Sequence, residues 1–230
     1  MKTIGLIGGM SWESTVEYYR LINAEISARL GGLHSAKCLL YSVDFGEIEP
    51  LMRSNEWDKI AQVLISAAKN LEKGGADFIL LCTNTMHKLY EQIRNGINLE
   101  LIHIADATAE EILREKMKKV GLLGTRQTME EDFYKSRLEK NGIQVLIPNQ
   151  KDRGLVHQVI FDELCLGIIK EASKEEFKRI IEELITMGAE GIILGCTEIP
   201  LLIKKEDSKV PIFDTTYIHA MKAVEKAVEV

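Results

Sequence analysis

No stretch of this chain reaches the roughly 18 uninterrupted apolar residues that a membrane-spanning helix needs, so nothing in it is expected to cross a bilayer. A basic surface is missing as well. The 29 Lys and Arg are outnumbered by 35 Asp and Glu, and the net charge of −6 leaves nothing to attract nucleic acid or an anionic membrane. The 4 cysteines, Cys38, Cys82, Cys165 and Cys196, are far apart and form no C-x-x-C, which argues against a disulfide framework and a zinc knuckle. His103, His157 and His219 show no metal-ligand spacing, and no metal is expected. There is no linker rich in Pro, Gly or Ser and no low-complexity tract, so any division into lobes must be tight. The opening "MKTIGLIGGMSWEST" has one lysine and a short apolar run that breaks at glycine, unlike a secretory h-region. It reads as a first strand, and the expected location is cytoplasmic.

What the chain does contain is an ordinary globular composition, 46% apolar and 28% charged over 230 residues, enough for one large domain or two lobes. Short β-branched or Leu-rich runs ("TIGLIG", "CLLYSVDF", "DFILLC", "LIHIAD", "KVGLLG", "QVLIP", "GIILGC", "PIFDTT") alternate with helical patterns. That alternation predicts an α/β fold with mostly parallel sheets covered on both faces. After Asn55, Trp57, Ile60, Leu64, Ala67, Ala68 and Leu71 recur at three- and four-residue intervals until Gly74-Gly75, predicting an amphipathic helix and its stop. "SKEE" at Ser173 matches a capping box and predicts another helix start.

A faint internal repeat divides the chain. "IGLIGGM" at 4–10 parallels "VGLLGTR" at 120–126, "GADFILLCT" at 75–83 parallels "GAEGIILGCT" at 188–197, and "HIADAT" at 103–108 parallels "IFDTT" at 212–216. Two similar Rossmann-like lobes related by a pseudo-two-fold axis are the expected result, with ligands at the carboxyl ends of the strands. Cys82 and Cys196 both fall at such ends, and the axis would set them face to face across one cleft.

A cysteine between strand and helix is expected to gain thiolate character from exposed helical N–H groups, by less than about one pKa unit. Two opposed thiols, one ionised and one protonated, can remove a proton from one face of a carbon and deliver one to the other. Thr83, Asn84, Thr85 and Thr197 offer donors for the ene-diolate that forms on the way. Burial as core, a Cys82–Cys196 disulfide and a shared metal site are the competing readings of the pair. Cys38 and Cys165 sit in apolar context and are read as core.

With "GLIGGMSWEST", "VDF", "CTNTMHK", "LLGTRQTMEEDFY" and "GCTEIPLL" in view, the chain resembles the cofactor-independent aspartate/glutamate racemase family over nearly its whole length. The resemblance implies a catalytic pair at Cys82 and Cys196, no cofactor, a small amino acid as substrate, and a homodimer. It implies that Thr83, Asn84, Thr85, Thr197 and Glu198 line the substrate site, and that Met10 contributes to the pocket. It also implies that the lobes exchange their last strands, so that 1–99 plus 209–230 form the first lobe and 100–208 the second. In "EPLMRSNEWD", Met52 and Arg53 occupy the segment where aspartate-acting relatives hold a carboxylate with arginine. Where many of those relatives have lysine, this chain reads "ELCLG", placing Leu166 there. Losing that cation brings in a less acidic substrate such as homoserine beside aspartate and glutamate.

Two other readings compete. "GLIGGM" lacks the G-x-G-x-x-G spacing on which a dinucleotide turn depends, so NAD is not expected. A binding protein that kept the cleft and uses its thiols as a redox switch would form an intramolecular disulfide and show no turnover when reduced. His87, five residues beyond Cys82, either tunes that thiol or simply packs.

Overall fold

The first apolar run forms β1 (Ile4–Gly8), buried along its whole length, and it ends where glycine becomes obligatory. A Cβ on Gly8 would lie 2.4 Å from the Thr15 side chain. Gly9 turns the chain at φ +93°, and its Cβ would lie 2.1 Å from the Val43 carbonyl. Ser11 then caps α1 (Trp12–Leu30), its hydroxyl accepting the Ser14 N–H at 3.4 Å. These coordinates come from a computed structural model that describes residues 1–229.

The first unit continues through β2 (Cys38–Ser42), α2 (Phe45–Arg53), α3 (Trp57–Lys73), β3 (Phe78–Leu81), a 3-10 turn at Thr85–Leu89, α4 (Tyr90–Asn95) and β4 (Glu100–Ile102). Its four strands are all parallel in the order β2-β1-β3-β4. The inner strands β1 and β3 read as unbroken buried runs because helices cover both faces. In α3 the expected stripe is the buried one, with Ile60, Leu64, Ala67, Ala68 and Leu71 all inward. Gly75, at φ +92°, ends the helix, its N–H on the Glu72 carbonyl and that of Ala76 on Leu71. Leu64 is fully buried, and its replacement by Ala should destabilise the unit by about 2–5 kcal/mol.

The second unit comprises α5 (Ile104–Arg114), β5 (Lys119–Gly124), α6 (Arg126–Glu130), α7 (Asp132–Lys140), β6 (Gln144–Leu146), α8 (Gln150–Asp162) and α9 (Glu171–Thr186). It goes on through β7 (Gly191–Gly195), α10 (Ile199–Leu202), β8 (Ile212–Asp214) and the start of α11 (Thr215–Val228). Its sheet is again four parallel strands, β6-β5-β7-β8, the same order as in the first unit. The internal repeat is therefore a repeat of topology. Leu122, Phe177, Ile180, Leu184, Ile192 and Ile193 make the centre of its core.

Two local features differ from the sequence reading. Ser173 is not a helix cap: α9 starts earlier, at Glu171, and the Ser173 hydroxyl donates to Glu163 Oε2 at 2.6 Å. A partner ten residues back outcompeted the local box. The chain divides into Met1–His103 with the segment from His219 onward, and Ile104–Ile218. The junctions thus differ from 99/100 and 208/209 because strand ladders set them: β4 pairs with β3 and holds 100–103 in the first unit, while β8 pairs with β7 and holds 209–218 in the second. Only the helical segment after β8 returns, not the strand. Among the described residues no helix is long and apolar enough to cross a membrane.

Candidate active site

In the first unit β3 delivers Cys82. Its N–H donates to the Ile7 carbonyl of β1 at 2.9 Å, so the ladder extends one residue past the strand. Thr83, Asn84 and Thr85 follow in the turn, all buried with it. On the neighbouring strand end, the Gly9 N–H donates to Thr15 Oγ1 at 2.8 Å and Thr15 in turn donates to the Ser11 carbonyl at 2.9 Å. This ties the glycine turn to α1 and holds Met10 in the core. Met52 is half-buried against the same core. Arg53, at the end of α2, is 79% exposed and ion-paired with Glu49 one turn earlier.

Rings pack against the Cys82 turn. His87 Nδ1 lies 2.7 Å from the Thr83 carbonyl oxygen, and the His87 ring is 4.5 Å from that of His103 and 5.8 Å from that of His219. Tyr18 donates its hydroxyl to His219 Nδ1 at 2.9 Å, and His219 Nε2 donates to the Ile102 carbonyl at 3.1 Å. Burial holds His219 neutral, its pKa lowered to about 3, with the neighbouring His87 acting in the same direction. Sequence reading missed this cluster, since Tyr18 and His219 are 201 positions apart. Among the described residues no group of three or more His, Cys, Asp or Glu can hold a metal ion.

In the second unit Cys196 directly follows the end of β7. Gly124, at the end of the adjacent β5, must be glycine because a Cβ would lie 2.8 Å from the Gly195 carbonyl. Thr125 then caps α6, accepting the Thr128 N–H at 3.3 Å. Cys196 Sγ donates to Glu198 Oε2 at 3.0 Å, and Thr197 Oγ1 donates to the same oxygen at 2.8 Å. Glu198 is 3% exposed, so these donors replace water around its charge. Leu166, in a 3-10 turn ended by Gly167 at φ +70°, is 66% exposed.

The thiols do not behave as the helix-terminus argument expected. Burial pushes Cys82 well above the ordinary thiol range, with Cys38 adding to it. Cys196 is raised by burial first and then by the Glu198 charge. Magnitude decides the matter. A helix terminus is worth about 0.3–1 kcal/mol, and the Cys196 turn leads only into the four-residue α10. Full burial can move a pKa by about 3–5 units. Both thiols are neutral at rest, and the one in the second unit has a carboxylate in place to receive its proton.

A family profile described as Asp/Glu/Hydantoin racemase matches residues 7–223. The chain is 30% identical to the broad-specificity amino-acid racemase RacX of Bacillus subtilis, over 75% of this chain and 74% of that one. A solved Yersinia pestis structure with the provisional description Asp/Glu racemase is 54% identical, covers 100% of both chains and superposes with a TM-score of 0.93. An aspartate racemase homologue from Pyrococcus horikoshii is 40% identical, again over 100% of both chains, with a TM-score of 0.85.

Proposed function

The chain belongs to the Asp/Glu/Hydantoin racemase family, and from that premise we propose that it interconverts the enantiomers of a small amino acid with Cys82 and Cys196 as its two acid–base groups and without pyridoxal phosphate. The observation that carries this reading is the repeated placement of a buried Cys-Thr pair just past β3 and just past β7, in two sheets of identical strand order. The proposal requires the two sulfurs to address opposite faces of one α-carbon.

One thiolate takes the α-proton and becomes a thiol; the second thiol gives its proton to the opposite face and becomes a thiolate. With both thiols neutral at rest, a proton first leaves one of them, to Glu198 from Cys196 or to solvent from Cys82. After turnover a proton returns to the thiolate left on the other sulfur, so that protons balance. The negative charge of the ene-diolate falls on the substrate carboxylate oxygens, and Thr83, Asn84, Thr85 and Thr197 supply the donors aimed at them. Neutral thiols at rest suit this scheme. An arriving α-ammonium within about 4–6 Å favours a thiolate by about 1–3 pKa units, offsetting part of the effect of burial when substrate is bound. Glu198, already accepting from Cys196, takes the proton that leaves that sulfur.

For the side chain, the aspartate/glutamate reading rests on Arg53 as carboxylate anchor, with Met52 beside it. A second reading, a broad-specificity enzyme that takes a less acidic amino acid such as homoserine, is favoured by the Arg53 guanidinium being paired with Glu49 and by the apolar Leu166. A homodimer fits the exposed stripe Trp12, Val16 and Tyr19 on α1 and the exposed Leu40 and Tyr41 on the edge strand β2. Four free thiols suit a reducing compartment such as the cytoplasm.

The test is to incubate reduced protein with single enantiomers of aspartate, glutamate, homoserine and a wider panel, and to resolve the products by chiral chromatography. Appearance of the opposite enantiomer from at least one amino acid is expected. Its absence throughout, with a disulfide forming readily between Cys82 and Cys196, would support the redox-switch protein instead.

A further inference from the structure

We propose that His87 is a positioning residue that fixes the peptide between Thr83 and Asn84, and so aims the Asn84 N–H; this rests on the racemase reading for what that N–H does. His87 lies in the 3-10 turn Thr85–Leu89 and is 1% exposed. Its Nδ1 is 2.7 Å from the Thr83 carbonyl oxygen. A carbonyl can only accept, so the ring carries its proton on Nδ1. His219 has the opposite tautomer by the same argument: its Nε2 faces the Ile102 carbonyl at 3.1 Å and its Nδ1 accepts from Tyr18.

The His87 ring is held from several sides. His103 lies at 4.5 Å, His219 edge-on at 5.8 Å and Tyr90 stacked at 6.5 Å, and Tyr90 is itself tied to the Leu101 carbonyl at 3.0 Å. A planar trans peptide sends its C=O and N–H in opposite directions. With the Thr83 carbonyl drawn toward His87, the Asn84 N–H points away from the ring cluster, at the carboxyl end of β3, where parallel sheets bind ligands. A peptide free to turn over would present a carbonyl oxygen to the substrate carboxylate instead of a donor. The histidine therefore acts on the negative charge of the ene-diolate through a backbone group.

Two amide substitutions separate this role from mere packing. The Asn side-chain nitrogen occupies the place of His Nδ1, and the Gln nitrogen that of Nε2. With the amino acid that wild type racemises fastest, His87→Gln should lose about 10–100-fold in kcat with KM within about threefold, because the donor matters most in the transition state. His87→Asn should stay within about threefold of wild type. Equal activity of the two variants, or better activity of Gln, would overturn the proposal. A readout that needs no turnover accompanies this: in 15N spectra of the intact protein, His87 should carry its proton on Nδ1, and the Asn84 amide should shift in His87→Gln but not in His87→Asn. A proton on Nε2 sinks the positioning role even if the enzyme racemises. If wild type racemises nothing, the functional reading fails, and the tautomer and the Asn84 amide still decide the geometry. Should His87→Asn fail to fold, the wild-type tautomer alone decides it.

Discussion

The turns after β3 and β7 begin from the same Cys-Thr pair and end in different chemistry. Cys82 lies in a core with Tyr18, Leu80 and Ile102, and its turn is braced by histidine and tyrosine rings. Cys196 lies two residues from a buried carboxylate that accepts directly from its sulfur. The repeated topology places a thiol after each of the two strands, and their surroundings differ. The proposed two-base reaction gives reason for such a difference, since one thiol must be ionised and the other protonated when the α-proton moves. The comparison teaches that the pair should be read as two unlike acids, whose exchange of roles depends on different partners.

Removing either thiol tests the comparison most severely. Cys82→Ser and Cys196→Ser should each cost at least about a thousandfold in racemisation, within the range for general acid–base groups. Chiral chromatography measures it, and near-normal turnover in either variant would break the pairing. Next in size is Glu198→Gln, which keeps the shape but removes the proton acceptor beside Cys196. A kcat loss of about 100-fold is expected, the lower end of the range for general acid–base groups. Because the equilibrium constant between enantiomers is unity, kcat/KM must fall equally in both directions. The asymmetry shows instead in the α-deuterium isotope effect, which should rise for the one enantiomer whose proton Cys196 removes. A rise for both enantiomers would mean that Glu198 serves the whole site.

The ring side of the comparison is sharpened by acid. His219 has its folded pKa lowered to about 3, against an unfolded value of about 6.5. Between those values the unfolded chain binds the extra proton, so the stability this residue contributes is present above about pH 6.5 and lost as pH falls toward 3. One proton corresponds to about 1.4 kcal/mol per pH unit. Urea unfolding between pH 7 and 4 should show this slope, and His219→Gln should flatten it. An unchanged slope would mean that His219 charges without cost. The smallest effect is expected at Arg53. As an exposed pair with Glu49 it should contribute under about 1 kcal/mol to stability, and Arg53→Ala should raise KM for aspartate and glutamate but not for homoserine if it grips an acidic side chain. Equal changes for all three would remove it from the substrate site.

Much of the fold was legible because it is encoded locally. The period of Trp57, Ile60, Leu64 and Leu71 set α3, and the unbroken apolar runs set β1, β3, β5 and β7. The repeated "GADFILLCT" and "GAEGIILGCT" reappear as equal strand orders. Features set by distant partners were not legible. The Ser173 hydroxyl chose Glu163 over its own helix end, and β4 and β8 joined whichever edge offered a ladder. The bond from Tyr18 to His219 crosses most of the chain. The acidity of the thiols was misjudged for a different reason: a helix terminus can be seen in a sequence, whereas full burial of the sulfur cannot, and desolvation is the larger effect.

The central claim is that each face of the α-carbon has its own thiol. Reduced protein incubated in D2O with one enantiomer of its best substrate, and stopped early, tests it directly. The account predicts deuterium in the newly formed opposite enantiomer with little in the recovered substrate, because the proton is removed by one group and replaced by another. Deuterium appearing equally in substrate and product from the start would mean a single base serving both faces, and would contradict it.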